Sequence, residues 1–263
     1  MRKIFLRTIV IGFLSALPFS AMAWGALGHR IVGEIADSYL TKKARKAIEE
    51  ILGNESIAMA SNWADFTLSA PHNMYPGSWH YINIPPGQTE SEVMSILAAD
   101  TGSVYTRINF LTAELKNKNL SHDLQVTYLR LLIHFVEDIH QPLHTGRQED
   151  KGGNSIKLTW MGNSTNLHTL WDSQLINFQQ LSYTEYAAAI NFTTKEQRKQ
   201  LYKETVADWI WTSYQQVEKI YAGIQGPEPK LSYEYNYNNI SLLNNQLLTG
   251  GVHLAGLLNE IFD

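Results

Sequence analysis

Apolar residues recur every three or four positions along most of this chain, which is the spacing of one face of an α-helix. Capping residues and prolines indicate where these helices begin and end. The predicted helices are Ile31–Leu40, a helix from Thr41 to Leu52 that stops at Gly53, one opened by a Thr89/Glu92 capping box and running through Leu97, one opened by Ser121 and running through Val126–Ile139 to end near Pro142, Leu170–Phe178, Lys195–Tyr221 and Leu242–Ile261.

Strand signals are sparse in comparison. We predict a strand over His80–Ile84 and a hairpin that pairs Ile156–Trp160 with Thr165–His168. The stretch Tyr233–Tyr237 predicts a solvated loop, with a surface for nucleobases as the alternative. The sequence contains no repeat, low-complexity tract or linker, so we predict an all-α fold consisting of a single helical domain with a small β-hairpin.

The first 23 residues predict a signal peptide. Three basic residues precede an apolar run over Ile9–Leu17, and the small-x-small sequence Ala21-Met22-Ala23 follows it. The run is shorter than the roughly 20 residues that a bilayer span needs. We therefore expect cleavage before Trp24, a mature domain over residues 24–263, a secreted or periplasmic location, and a monomer without stable membrane association.

Composition restricts the chemistry of the mature chain. Without the three basic residues of the leader, 18 basic residues face 25 acidic ones, a formal charge of −7. This balance argues against a basic groove as the source of nucleic-acid affinity, so a polyanionic substrate would need bound cations. The chain has no cysteine, so zinc would have to bind to His, Asp, Glu or a terminal amine.

Two His–Asp pairs have the spacing of metal ligands. His134 and Asp138, and likewise His168 and Asp172, are four residues apart and would share a helix face, while His144 follows the first pair beyond a proline. A single pair is more often a hydrogen bond or an ion pair. Two pairs and His144 within 39 residues favour metal, although the spacing does not identify the reaction.

Three further residues are ambiguous in isolation. Asp65 would usually be a surface acid or a helix cap, and His80 a core histidine with its hydrogen bonds satisfied. His29, five residues beyond the expected cut, carries no clear signal alone.

Six motifs in order resemble the zinc-dependent, single-strand-specific nuclease family of the fungal and plant S1/P1 type. They extend from Trp24 to about Asp172, and the C-terminal third adds no recognised motif. The motifs are Trp24-Gly-Ala-Leu-Gly-His29, Trp63-Ala-Asp65, Trp79-His-Tyr-Ile-Asn83, His134-Phe-Val-Glu-Asp138-Ile-His-Gln-Pro-Leu-His144, Gly152-Gly-Asn154 and Asn166-Leu-His-Thr-Leu-Trp-Asp172.

The resemblance implies a phospholipase C/nuclease-like fold and three zinc ions. One ion would be held by Asp65, His80, His134 and Asp138, a second by the amine and carbonyl of Trp24 with His29 and a bridging Asp138, and a third by His144, His168 and Asp172. Asp65, Asp138 and Asn154 would serve catalysis, while Tyr81, Asn83 and Asn154 would contact the substrate. The implied reaction is hydrolysis of single-stranded DNA and RNA to 5′-phosphate products, with 3′-nucleotidase activity.

One departure from the family pattern concerns phosphate binding. The family usually has an arginine three residues after the aspartate of Trp63-Ala-Asp65, and this chain has Leu68 there. Arg147 or His72 are the candidate substitutes. Family members also usually carry disulfides, which a chain without cysteine cannot form.

Two other functions remain open. A zinc-dependent phospholipase C shares the implied fold and the N-terminal Trp ligand, but it usually ends the last metal pair with Glu where this chain has Asp172. A zinc-binding protein without turnover is the other alternative.

Overall fold

The structure is a computed structural model that describes residues 24–70 and 74–263. The expected signal peptide and His72 lie outside the described residues. Within this part of the chain, no helix has the length and apolar character needed to cross a membrane.

Helices dominate the described residues, and most begin where the sequence places a capping residue. Thr41 caps one helix through its side chain, and Thr89 forms the predicted capping box with Glu92. The helices are α1 Ala26–Ser38, α2 Lys42–Leu52, α3 Ile57–Ala60, α4 Trp63–Thr67, α5 Glu90–Ala99, α6 Val104–Leu115, α7 His122–Asp138, α8 Leu167–Thr169, α9 Leu175–Phe178, α10 Tyr183–Ile190, α11 Lys195–Leu201, α12 Val206–Ala222 and α13 Tyr233–Phe262, with a π-helical segment Leu170–Gln174 between α8 and α9.

The second half of α7 is buried on every side. Every residue from Leu131 to Asp138 is buried, and α1, α3, α4 and α13 all pack against this helix. Helix α13 also lies close to α1, because a Cβ on Gly251 would come within 2.5 Å of Ile35 Cγ2. The polar residues at the end of α7 therefore lie in the centre of the domain.

The predicted hairpin is present within a three-stranded sheet, but its second strand is Asn163–Asn166 rather than Thr165–His168, because Leu167–Thr169 is already helical. Strand β1 (Lys157–Trp160) pairs antiparallel with β2 (Asn163–Asn166) and parallel with the short β3 (Lys230–Leu231). Met161 and Gly162 connect β1 to β2 with positive φ angles of 48° and 84°, as a type I′ turn requires. The all-α class with a small sheet is thus confirmed.

Some sequence predictions were wrong. His80 ends a 3-10 helix, Gly77–His80, and the extended residues after it bond to a loop: Ile82 and Ile84 donate to the carbonyls of His144 and Gly146. The region 195–221 is two helices, because Thr205 starts α12 with a new capping box. The region 233–237 is the start of α13 rather than a loop, since buried Tyr235 accepts a hydrogen bond from Trp171 Nε1.

Candidate metal centre

Six elements bring the histidines and aspartates of the motifs together around the end of α7. His134 and Asp138 lie on α7 itself, and the other elements pack around them. These are α1 with His29, α4 with Asp65, the 3-10 helix that ends at His80, the 3-10 helix Pro142–Thr145 with His144, and the segment from α8 into the π helix with His168 and Asp172.

Four of these side chains, Asp65, His80, His134 and Asp138, form the Asp65 group. His134 Nε2 lies 3.0 Å from His80 Nδ1, 3.4 Å from Asp65 Oδ1 and 3.3 Å from Asp138 Oδ2. His80 Nδ1 lies 3.0 Å from Asp138 Oδ2 and 3.9 Å from Asp65 Oδ1. Ligands of a tetrahedral zinc ion with bonds of 2.0–2.1 Å are about 3.3 Å apart, so the spacing of the group suits zinc.

His29 lies on the other side of the two carboxylates. Its Nε2 is 3.6 Å from Asp138 Oδ1 and 3.9 Å from Asp65 Oδ2. Each carboxylate, of Asp65 and of Asp138, therefore directs one oxygen toward His80 and His134 and the other toward His29. His29, His134 and Asp138 also form one of the sets that could hold a metal ion, with ligand atoms within 4.8 Å of one another.

His144, His168 and Asp172 form a third set, the His144 group. His168 Nε2 lies 3.3 Å from Asp172 Oδ2, and the rings of His144 and His168 stack with centroids 5.2 Å apart. The His144 group is joined to the Asp65 group through the backbone, because His144 Nδ1 donates to the His80 carbonyl at 2.7 Å.

Hydrogen bonds fix which ring nitrogen faces the centre. The Nδ1–H groups of His134 and His168 donate to the carbonyls of Ser61 and Gly152, each at 2.6 Å. A partner on Nδ1 orients Nε2 toward the centre, which is the usual arrangement around metal-bound histidines. Gly152, whose carbonyl accepts from His168, has a positive φ of 61°. A Cβ at this position would lie 2.6 Å from the Leu143 carbonyl oxygen, so glycine is needed for the turn.

Several atoms that face the centre are buried and lack a hydrogen-bond partner among the described residues. They are His29 Nε2, His144 Nε2, both carboxylate oxygens of Asp65, and Asp138 Oδ1. Leaving a buried polar atom without a partner costs about 1–3 kcal/mol. Bound cations would satisfy all of these atoms together.

Burial also disfavours charge on these groups. It raises the pKa of Asp138 and Asp172, and it lowers the pKa of His144 well below its usual value. His134 is the exception: burial lowers its pKa, but Asp138 and Asp65 outweigh burial and raise the pKa to about 10. The carboxylates thus already favour a positive charge at the position of His134.

The predicted substrate contacts lie at different depths. Tyr81 is 40% exposed, so it is not a core residue, and Asn83 is half-buried. Asn154 donates from its amide to the Lys151 carbonyl at 2.8 Å within its own turn. Leu68 directly follows α4, three residues after Asp65, and is half-buried.

Trp24, the predicted start of the mature chain, is fully buried. The next residue, Gly25, donates its backbone N–H to the carbonyl of Asp172 at 2.8 Å. A Cβ at Gly25 would lie 2.2 Å from Ser173 Oγ. The segment that begins with Trp24 is therefore packed closely against the helix that carries Asp172.

Glu137, Ser61 and Gln141 hold candidate ligands in place, and the motifs did not predict this role. Buried Glu137 accepts hydrogen bonds from His29 Nδ1 at 2.6 Å and from the Ser61 hydroxyl at 2.7 Å. The Gln141 side chain donates to Asp172 Oδ1. The sequence offered one indication of this role, because Glu137 and Gln141 lie within the motif His134–His144.

Comparisons with known proteins agree with the motifs. The family model described as S1/P1 Nuclease matches residues 24–263. Endonuclease 2 of Arabidopsis thaliana is 30% identical over 287 residues, which cover 97% of this chain and 95% of the relative. Nuclease S1 of Aspergillus oryzae is 32% identical over 167 residues, which cover 61% of this chain and 57% of the relative.

A solved structure of Clostridium perfringens alpha-toxin from avian strain SWCP aligns with a TM-score of 0.38 and 13% identity. The alignment covers 92% of this chain and 65% of the toxin chain, a similarity too weak to bear on activity. The family match, in contrast, includes every motif of the candidate metal centre. This chain belongs to the S1/P1 nuclease family and is a nuclease that hydrolyses phosphodiester bonds.

Proposed function

We propose that this chain is an endonuclease and 3′-nucleotidase that uses three zinc ions to hydrolyse single-stranded DNA and RNA to 5′-phosphate products. The observation that carries the proposal is the convergence of seven buried His and Asp side chains in the Asp65 group and the His144 group, with His29 beside them. Nitrogen and oxygen ligands of this kind suit zinc in a chain without cysteine.

The Asp65 group would hold one zinc, His29 with Asp138 and the amine and carbonyl of Trp24 a second, and the His144 group a third. Bound zinc supplies activation of water near neutral pH and neutralisation of charge on the phosphate. The position of Asp138 supports neighbouring sites for the first and second zinc ions, because its two oxygens face His134 and His29 at 3.3 and 3.6 Å.

Tyr81 and Asn83 would bind the base next to the scissile phosphate. Exposed Tyr81 directly follows His80, and stacking on an aromatic ring contributes about 1–3 kcal/mol per base. Asn83 would add a hydrogen bond to the base. Asn154 would contact the phosphate or the leaving group after exchanging its bond to Lys151.

A free amine at Trp24 exists only after the first 23 residues are removed, so export and activation would be coupled. The hydrogen bond from Gly25 to the Asp172 carbonyl supports a role for the neighbouring Trp24 at this site, and a family match that begins at residue 24 supports cleavage before it. We place the active protein outside the cytoplasm, secreted or periplasmic, as a monomer.

The test is elemental analysis of protein that begins at Trp24, together with its activity on single-stranded DNA, duplex DNA and a 3′-nucleotide. We expect about three zinc ions per chain, preference for the single strand, loss of activity with a chelator and recovery with zinc. Undiminished hydrolysis after zinc removal would overturn the proposal. Bound zinc without nucleotide hydrolysis would favour a binding protein, and hydrolysis of phosphatidylcholine instead would favour a phospholipase C.

A further inference from the structure

A row of aromatic rings with an arginine at each end includes residues that lie close in sequence to two members of the Asp65 group. The ring centroids of Trp63 and Tyr75 are 5.8 Å apart, and those of Tyr75 and Trp79 are 6.0 Å apart. Trp63 precedes Asp65 by two residues and Trp79 directly precedes His80. The row therefore begins and ends within two residues, along the chain, of two candidate metal ligands.

The two arginines differ in their charge partners. Arg130 lies over Trp63 at 5.4 Å and pairs with Glu55 at 2.7 Å. Arg107 lies over Trp79, with its guanidinium carbon 4.3 Å from the ring centroid. Within the described ranges Arg107 forms no ion pair, and its buried Nε has no hydrogen-bond partner. Its positive charge is therefore not neutralised by a neighbouring carboxylate.

Arg107 is held close to the residues that follow His80. It lies in the first turn of α6, where the N–H of Val104 donates to the Tyr81 carbonyl at 3.4 Å. A side chain at Gly102 would meet only Arg107 Nη2 within 4 Å, so the tip of Arg107 borders open space. A guanidinium stacked on a ring keeps its in-plane N–H groups available for a phosphate.

Arg147, one of the two candidates for the missing phosphate-binding arginine, already has other partners. Its guanidinium lies 4.1 Å from the Tyr221 ring centroid and 3.2 Å from Glu218. Arg107 has no ion-pair partner among the described residues and stacks on Trp79, the residue before His80, so we assign it to a neighbouring phosphate of the substrate rather than the scissile one.

We propose that Arg107, stacked on Trp79, binds a phosphate that flanks the scissile bond, and that the row Trp79, Tyr75 and Trp63 guides the adjoining nucleotides. This inference rests on the proposed nuclease function. Bases of a single strand can stack on aromatic rings without sequence preference, whereas the bases of a duplex are stacked on each other. The surface would thus contribute to single-strand preference in a chain whose mature charge is negative.

The test compares Arg107→Gln with Arg198→Gln, a matched control in which another arginine stacks on Tyr39 at 4.8 Å. We expect Arg107→Gln to raise KM for oligothymidylate about tenfold and to leave hydrolysis of a 3′-mononucleotide within about twofold, because that substrate has no flanking phosphate. The control should change neither. Equal losses on both substrates, or no loss on the oligonucleotide, would overturn the inference.

Binding of a phosphorothioate oligothymidylate provides a readout that needs no turnover. Arg107→Gln should lower the slope of log Kd against log salt by about one, and Arg107→Lys, which keeps the charge, should retain most of the slope. An unchanged slope in Arg107→Gln would count against Arg107 even in an active enzyme. Failure of the wild-type protein to cleave any nucleic acid would instead count against the proposed function.

Discussion

His29 and Glu137 form a buried pair in which the imidazole Nδ1 lies 2.6 Å from the carboxylate Oε2. Burial lowers the pKa of His29 and raises the pKa of Glu137, in each case well away from the usual value. The pair turns His29 Nε2 toward Asp138. Glu137 is thus a positioning residue for a candidate ligand.

Replacing Glu137 by Gln should weaken zinc binding at His29. Gln keeps the volume but has one accepting oxygen where Glu137 uses two, for His29 and Ser61, and changes of this kind cost about 10–100-fold in metal affinity. Zinc titration would measure the loss, with Glu196→Gln on the exposed surface of α11 as control. Wild-type affinity for every zinc ion in Glu137→Gln would contradict the assigned role.

A chain that retains Ala23 should bind one zinc fewer. Its Trp24 nitrogen would be an amide rather than an amine, and an amide is a poor metal ligand. We expect activity to fall by about 100-fold or more, the scale for losing one element of charge stabilisation. Elemental analysis and initial rates would test this, with a chain extended by one Ala after Asp263 as control. Full activity with the retained residue would remove Trp24 from the metal centre.

The helices and the proximity of the two His–Asp pairs could be predicted because both depend on short spacings. Ser121 and Pro142 bracket α7, and His134 and Asp138 are neighbours because four residues make about one helical turn. The approach of Asp65 and His80 to this pair depends on tertiary packing. Periodicity does not encode that packing, so only the resemblance brought them together.

The sequence predictions that were wrong or missing also depend on tertiary packing. Glu137 lies between two candidate ligands in the sequence, yet nothing local shows that its carboxylate contacts His29, 108 positions away. Tyr233 and Tyr237 are exposed, and their polar surroundings resemble a loop, but buried Tyr235 anchors the segment to Trp171 and makes it helical. The strand predicted at His80 failed because its partner is a 3-10 helix and loop rather than another strand.

Replacing Leu68 by Arg should increase the rate. Leu68 follows Asp65 by three residues, directly after α4, and is half-buried, so a longer side chain at this position can extend toward solvent. A hydrogen bond to a charged group contributes about 1.5–3 kcal/mol, which corresponds to at least about tenfold in kcat/KM for a 3′-nucleotide. Leu68→Gln, which introduces a polar side chain without a charge, is the control. A rate no higher than that of Leu68→Gln would show that this position does not reach the phosphate.

His253 should make the folded protein sensitive to acid. Its buried ring stacks on Trp209 at 4.7 Å, with Nδ1 2.8 Å from His140 Nε2 and Nε2 3.2 Å from Glu204. Burial lowers its pKa below 6.5, although Glu204 opposes the shift. As the pH falls through 6.5, the unfolded chain therefore binds a proton that the folded chain does not.

The stability due to neutral His253 is fully present above pH 6.5 and is lost as the pH falls toward the lowered folded pKa. The loss amounts to at most about 1.4 kcal/mol per pH unit. His253→Gln keeps a polar group near His140 but does not titrate, so its unfolding free energy should fall less steeply below pH 6.5, whatever its stability at pH 8. Urea unfolding at several pH values with saturating zinc would measure both slopes, and His122→Gln, at an exposed position, should match the wild type. Parallel slopes for His253→Gln and the wild type would show that His253 takes up its proton equally in the folded and unfolded chains.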